Sequence, residues 1–141
     1  MSTTIVLDNW SVHKEAARAI RMQVFVIEQN VPIELEWDDM DEVCVHAIAS
    51  DENGQAVGTG RLLPDGHIGR MAVMASARGT GVGSQILTSL MAAAKQRGDK
   101  RVVLSAQRQA EGFYAAHGFR VLGDEYLEAG ILHITMEHFF N

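Results

Sequence analysis

The spacing of apolar positions changes several times along the chain, and each change marks a structural element. Residues 4–7 form a short β-prone run that predicts a first strand. Ala16, Ala17, Ile20, Val24 and Ile27 then recur at three- and four-residue intervals, the spacing of one helical face, with Asn9 or Ser11 placed to cap the start. Residues 30–40 follow neither period, contain Pro32, and read as a loop with room for a helical turn. From Val43 the runs become short and β-rich: residues 43–49, 55–63 and 67–74, separated by Asn53-Gly54 and Pro64-Asp65-Gly66, predict a three-strand meander.

A Gly-rich segment then precedes a helical pattern built on Val82, Ile86, Leu87, Leu90, Met91 and Ala94, which Gly98 closes. Residues 101–105 are apolar and β-branched, as in a buried strand, and residues 108–116 return to helical spacing before Gly118. Residues 119–122 and 131–139 predict a final strand pair. The elements add up to an α/β (α+β) domain over residues 1–141. Its expected architecture is a mixed, mostly antiparallel sheet of about seven strands flanked by about four helices.

Composition narrows the function classes. With 141 residues and 47 % hydrophobic content the chain can bury one substantial core. The formal net charge of −6 repels polyanions, which argues against nucleic acid as a partner. No apolar run approaches the ~18 residues of a membrane span, and nothing at the N-terminus resembles an export signal, so a cytoplasmic location is expected. Cys44 is the only cysteine, and the histidines do not fall at ligand spacings, so neither a disulfide nor a metal is expected. Seven carboxylates crowd into residues 28–42, a stretch that can attract a cation.

The chemistry concentrates in Arg78-Gly79-Thr80-Gly81-Val82-Gly83-Ser84, between a predicted strand and the 82–94 helix. Glycines there let a ligand approach the backbone, and the helix start presents unpaired N–H groups to an anion, which makes phosphate the natural guest. No Gly-Lys-Ser/Thr follows, which removes a nucleotide P-loop, and the alternating glycines do not fit the dinucleotide fingerprint. Arg78-x-x-Gly81-x-Gly83 resembles the pyrophosphate loop of the GCN5-related N-acetyltransferases, the GNAT superfamily. The preceding run Ile68-Gly69-Arg70-Met71-Ala72-Val73 resembles the strand that lines acetyl-coenzyme A in that family. Gln107-x-x-Ala110-x-x-x-Tyr114 with Gly118-Phe119 resembles its next signature, with Gln107 standing where asparagine is commoner. Arg21, Val24-Phe25, Glu28-Gln29, Pro32, Glu36, Asp38 and Asp41 resemble the ElaA/YjcF-like branch, and the same arrangement is similar to the acyl-homoserine lactone synthases.

The resemblance implies direct acetyl transfer from acetyl-CoA to an acceptor, expected to be a primary amine on a small molecule or peptide. It assigns cofactor contacts to Met71, Ala72, Val73, the 78–84 loop, Gln107 and Tyr114. Tyr114 is the expected acid for the departing thiolate. A base is needed because an alkylamine with pKa ~10.4 is protonated at neutral pH. His46, His133 and Glu28, with Glu36 and Glu128 behind them, are the titratable candidates, and Glu36 and Asp38 are expected to draw a cationic acceptor. A synthase using an acyl carrier protein and a silent acyl-CoA-binding module are the competing readings, and the sequence leaves a homodimer open.

Overall fold

Residues 3–141 are described by a computed structural model. Its elements run β1 (Thr4–Asp8), α1 (Trp10–Arg21), α2 (Ile33–Glu36), β2 (Val45–Ser50), β3 (Ala56–Leu62), β4 (His67–Val73), α3 (Val82–Gln96), β5 (Arg101–Gln107), α4 (Glu111–Ala116), β6 (Arg120–Val121), β7 (Tyr126–Glu128) and β8 (Ile131–Phe139). The eight strands form one sheet in the order β1-β2-β3-β4-β5-β8-β6, with β7 also paired to β8. Only β4 and β5 run parallel. The sheet is therefore mixed and mostly antiparallel, as expected, with β7 the strand that the sequence pattern did not resolve.

Helix α1 starts where expected, with Asn9 Oδ1 accepting from the Val12 N–H at 3.1 Å. The apolar face through Val24 and Ile27 does not continue as α-helix. Met22–Glu28 winds as a π-helix, closed by the Gln29 N–H donating to Val24 O at 3.2 Å. The wider turn rotates Glu28 and Gln29 relative to the α1 face. The segment expected as a loop contains the single turn α2.

Strand alternation sorts the core into two layers. Ala47, Ala49, Leu62, Ile68, Leu104, Ala106, Ile134 and Met136 pack under α3, whose Ile86, Leu87 and Leu90 are fully buried. On the opposite face Ile48 and Ala72 pack under α1 through Ala17 and Ile20 and under the π-helix through Val24. Glycine sets the approach of α3. A Cβ at Gly60 would lie 2.9 Å from Ile86 Cγ2 and 3.0 Å from Leu90 Cδ1.

Between β3 and β4 the register shifts: Thr59 faces Ala72 but Arg61 faces Gly69, so Arg70 and Met71 together oppose Gly60. This β-bulge holds Arg70 at φ 48°. Beyond it β4 leaves its other neighbour. The parallel pairing to β5 is limited to His67 with Val103 and Ile68 with Leu104. Gly69–Val73 and Ser105–Gln107 then diverge and open a cleft through the sheet.

Gly60→Val should cost about 1–3 kcal/mol, because Ile86 and Leu90 must shift to admit the side chain. Thermal unfolding should show a drop of several degrees for Gly60→Val against little change for a substitution at the open position Gly54 that keeps glycine-like freedom, Gly54→Asn.

Candidate active site

The Gly-rich loop stands at one mouth of the cleft. Gly79 and Gly81 adopt φ 77° and 87° with open space where a Cβ would project, so their backbone conformation, not crowding, requires glycine. Gly81 caps α3 without a side-chain hydrogen bond, and the first helical bond runs from the Gln85 N–H to Gly81 O. The N–H groups of Val82, Gly83 and Ser84 therefore precede the first turn's hydrogen bonds, where the helix dipole favours an anion. Ser84 Oγ donates to His117 Nε2 at 2.7 Å, with the ring fixed by Nδ1 donating to Phe113 O at 2.8 Å. Thr80 Oγ1 bonds Ala77 O and braces the loop.

Along the β4 wall, the Met74 N–H donates to Val57 O on β3 at 2.8 Å. Alternation turns the Val73 peptide the other way, into the cleft. Arg78 is bound on that side, with Nε donating to Val73 O at 3.0 Å and Nη2 to Glu28 Oε1 at 2.9 Å. Ala72 offers only its backbone, since its side chain is buried under α1. Tyr114, on α4, reaches the same wall, its hydroxyl 3.9 Å from Met71 Sδ. Sulfur is a weak acceptor, so this contact leaves the phenol able to donate elsewhere. Burial pushes the Tyr114 hydroxyl up to about 12, which keeps it protonated through any ordinary working pH.

The β5 wall carries a different set. Ser105 and Gln107 alternate with the buried Leu104 and Ala106, so they occupy the face opposite α3. Gln107 Nε2 donates to Gln29 Oε1 at 2.8 Å, which bridges the end of the π-helix to the end of β5. His133 lies directly across from Gln107 in the β5–β8 register. Its Nδ1 donates to Ile131 O at 2.7 Å, and its Nε2 is 3.5 Å from Glu128 Oε2.

Three of the expected roles meet physical obstacles. His46 is 1 % exposed, its Nε2 donates to Asp41 O at 2.8 Å, and its ring packs on Trp10 two strands away from the cleft. Burial lowers its pKa, but no acceptor can reach it. Glu36 and Asp38 do not present a free anionic surface. Arg21 Nε donates to Glu36 Oε1 at 2.6 Å and Nη1 to Asp41 Oδ1 at 2.9 Å. Arg61 donates to Asp41 Oδ1 and to both Asp38 oxygens at 2.8 Å, and Arg70 Nη2 reaches Asp38 at 3.3 Å. Three carboxylates are matched by three guanidinium groups, and Glu36 is 3 % exposed. The N-terminal Arg and Glu-x-Asp-x-x-Asp pattern thus folds a loop onto the sheet, its charges turned to arginines of the same chain.

Cys44 is equally remote from nucleophilic use: burial pushes its thiol up to about 11, and Sγ donates to Met40 O at 3.1 Å. Among the described residues no cluster of three or more metal-ligating side chains occurs, and no helix is long and apolar enough to cross a membrane.

The profile of the family described as "Acetyltransferase (GNAT) domain" matches residues 13–139. The chain belongs to the GNAT acetyltransferase family. It is 42 % identical over 121 residues to the uncharacterised N-acetyltransferase YjcF of Bacillus subtilis, covering 83 % of this chain and 86 % of the relative. Among solved structures, an acyl-CoA N-acyltransferase from Pseudomonas aeruginosa superposes with TM-score 0.87 at 32 % identity, covering 97 % of this chain and 99 % of that one. Escherichia coli ElaA superposes with TM-score 0.84 at 28 % identity over 98 % of this chain and 99 % of that one. This places the GNAT chain in the ElaA/YjcF branch. It is an acyltransferase of the N-acetyltransferase type, and the family draws its acyl group from acyl-CoA.

The ionic network sets an acid limit on this GNAT fold. Hydrogen bonds from Arg61 lower the Asp38 carboxyl to about 2, below its usual 3.8, so its contribution is present above pH ~4 and is lost as pH falls toward 2. Urea unfolding of Asp38→Asn should show a shallower loss of stability across that window than the parent chain. Arg21→Met removes the cation between two buried carboxylates and should cost about 3–5 kcal/mol, read as a fall in Tm of about 10 °C.

Proposed function

We propose that this enzyme transfers an acetyl group directly from acetyl-CoA to a primary amine, on a small molecule or peptide, through residues 1–141 acting as one N-acetyltransferase domain. The observation that carries the reading is the cleft itself: a phosphate-suited helix start at its mouth, an outward-turned β4 peptide along one wall, and a protonated phenol beside that wall.

In this reading the diphosphate rests on the N–H groups of residues 79–84, with Arg78 released from Glu28 to face its charge. Thr80 and Ser84 remain braces of the loop. The pantetheine arm runs along Met71, Ala72 and Val73, and the Val73 O that Arg78 now occupies becomes its hydrogen-bond partner. Gln107 turns its amide from Gln29 to the arm. The thioester then lies where the strands have parted, and the N–H groups of Met71 and Val73 are the donors for its carbonyl oxygen as negative charge develops there.

The amine attacks as the free base, C–N bond formation precedes C–S cleavage, and the thiolate departs beside Tyr114. A free thiol has pKa ~8.5, below the value of about 12 for Tyr114, so outright proton donation from the phenol runs uphill. Tyr114 therefore acts as a hydrogen-bond donor to the developing sulfur charge and relays a proton that the acylated nitrogen supplies. The acyl group does not pause on Cys44, whose thiol is buried and protonated.

Titration calorimetry with CoA and acetyl-CoA should give binding in the micromolar range or tighter, and a free-thiol assay over an amine panel should give turnover; absence of any CoA affinity overturns the assignment. Gly81→Val, forced to φ 87°, should weaken that binding at least tenfold. Tyr114→Phe should lower kcat about ten- to a hundredfold while the CoA affinity stays within twofold. An unchanged kcat removes Tyr114 from the chemistry.

A further inference from the structure

On the sheet face opposite α3, β7 and β8 build a second constellation that the proposed CoA contacts do not use. We propose that His133, with Glu128 and Tyr126, is the site that seats the acceptor as an ammonium ion and removes its first proton. This inference rests on the acyl-CoA-to-amine reading given above.

The ring of His133 is held in one tautomer. Ile131 O can only accept, so the 2.7 Å contact requires the proton on Nδ1 and leaves Nε2 with the lone pair in the neutral ring. That nitrogen is 3.5 Å from Glu128 Oε2. An ammonium at this edge meets one carboxylate that attracts its charge and one lone pair that accepts its proton. The Tyr126 ring stacks on His133, with centroids 6.0 Å apart and planes at 24°, and its hydroxyl bonds Ser105 Oγ on β5. The stack fixes the imidazole plane and adds an aromatic wall suited to a cation.

Position in the sheet connects this site to the reaction. Ser105 and Gln107 stand on the stretch of β5 that β4 has left, and His133 is the register partner of Gln107. All three side chains are on the face opposite α3, whereas the loop at the start of α3 lies on the other. Of the other charged groups, Arg108 pairs with Glu111 and Glu125. Glu28, on the π-helix, pairs with Arg78 until the diphosphate draws that guanidinium away, and it has no contact with the His133 ring. Glu128 is left as the carboxylate toward His133. His133 is 7 % exposed, so the proton's exit runs through Glu128, which is at the surface.

The protons balance as follows. R–NH3+ gives one proton to His133 Nε2 and becomes R–NH2, while the imidazolium pairs with Glu128. The amine nitrogen then forms the C–N bond. As the C–S bond breaks, the second proton on that nitrogen passes by way of the Tyr114 hydroxyl to sulfur, giving the amide and CoA-SH. His133 returns its proton to solvent, the single proton released overall.

The test compares acceptors that differ in basicity. The wild-type enzyme and His133→Gln are assayed by thiol release with an alkylamine, protonated at pH 7, and with an aryl amine of pKa below ~5, already neutral there. The expected loss in kcat/KM is about a hundredfold for the alkylamine and less than about threefold for the aryl amine. Raising the pH toward 10 should narrow the alkylamine gap, since solvent then supplies free base. Glu128→Gln, at an exposed position, should give the same acceptor-dependent pattern at about threefold amplitude and covers the case in which His133→Gln fails to fold. Equal losses on both amines, or none on either, overturn the assignment. Loss of CoA binding by the wild-type chain instead brings down the underlying function, so the two failures are distinguishable by calorimetry.

Discussion

The separation of β4 from β5 is the constraint on which the rest of the molecule depends. Two parallel strands that began a ladder at His67 and Ile68 abandon it within two residues, which leaves main-chain groups on both walls without sheet partners. Such groups are costly unless something else satisfies them. The immediate cause is the bulge at Arg70 and Met71, because an extra residue against Gly60 adds twist and swings the second half of β4 aside. A non-glycine residue at φ 48° holds that bulge, and the strain persists only where surrounding contacts over-determine it. Arg70 has such contacts: Nε donates to Glu36 O at 3.4 Å and Nη2 reaches Asp38.

Those two partners belong to the ionic network, buried at Arg21, Glu36, Asp41 and Arg61, which joins loop, helix and sheet. Arg21 arrives from α1, Glu36, Asp38 and Asp41 from the segment after the π-helix, Arg61 from β3 and Arg70 from β4. A buried ion pair is weak evidence for stability, since desolvation offsets much of its attraction, yet its geometry is exacting. The network is also complete save for Arg61 Nε, the one buried side-chain polar atom among the described residues without a partner. Its contribution is best understood as positional. By pinning residues 33–43 against the sheet it fixes the π-helix behind them, and the π-helix delivers Gln29 to Gln107 across the gap between β4 and β5.

Much of this is legible in the sequence. The β-meander, α3 and the β5 run follow from period and turn chemistry, and the Gly-rich loop reads as an anion site because alternating glycines ahead of a helix leave the backbone open to a ligand. What the pattern concealed has physical reasons. The π-helix keeps the same apolar residues as an α-helix, so Val24 and Ile27 read as a continuous face. Strand β7 is three residues long and exposed at Leu127, with no buried alternation to reveal it. The acidic stretch read as a lure for a cation because its counter-charges are up to 50 positions away, as in the Arg78–Glu28 pair, and sequence proximity carries no trace of that pairing. His46 and His133 looked equivalent as strand histidines; only register separates a ring packed on Trp10 from one opposite Gln107.

In the proposed reaction the two faces of the cleft also divide the proton chemistry. On the α3 side stands Tyr114, held protonated by its own burial and able to stabilise a leaving thiolate without ever needing to ionise at working pH. On the other side stands His133, whose bare nitrogen is defined by a carbonyl that can only accept. The proposed donor and acceptor of protons thus lie on opposite faces of the sheet, beside the gap where β4 and β5 part. In the proposed reaction the acyl carbonyl belongs in that gap, so each proton passes through the reacting nitrogen and not directly from one side chain to the other.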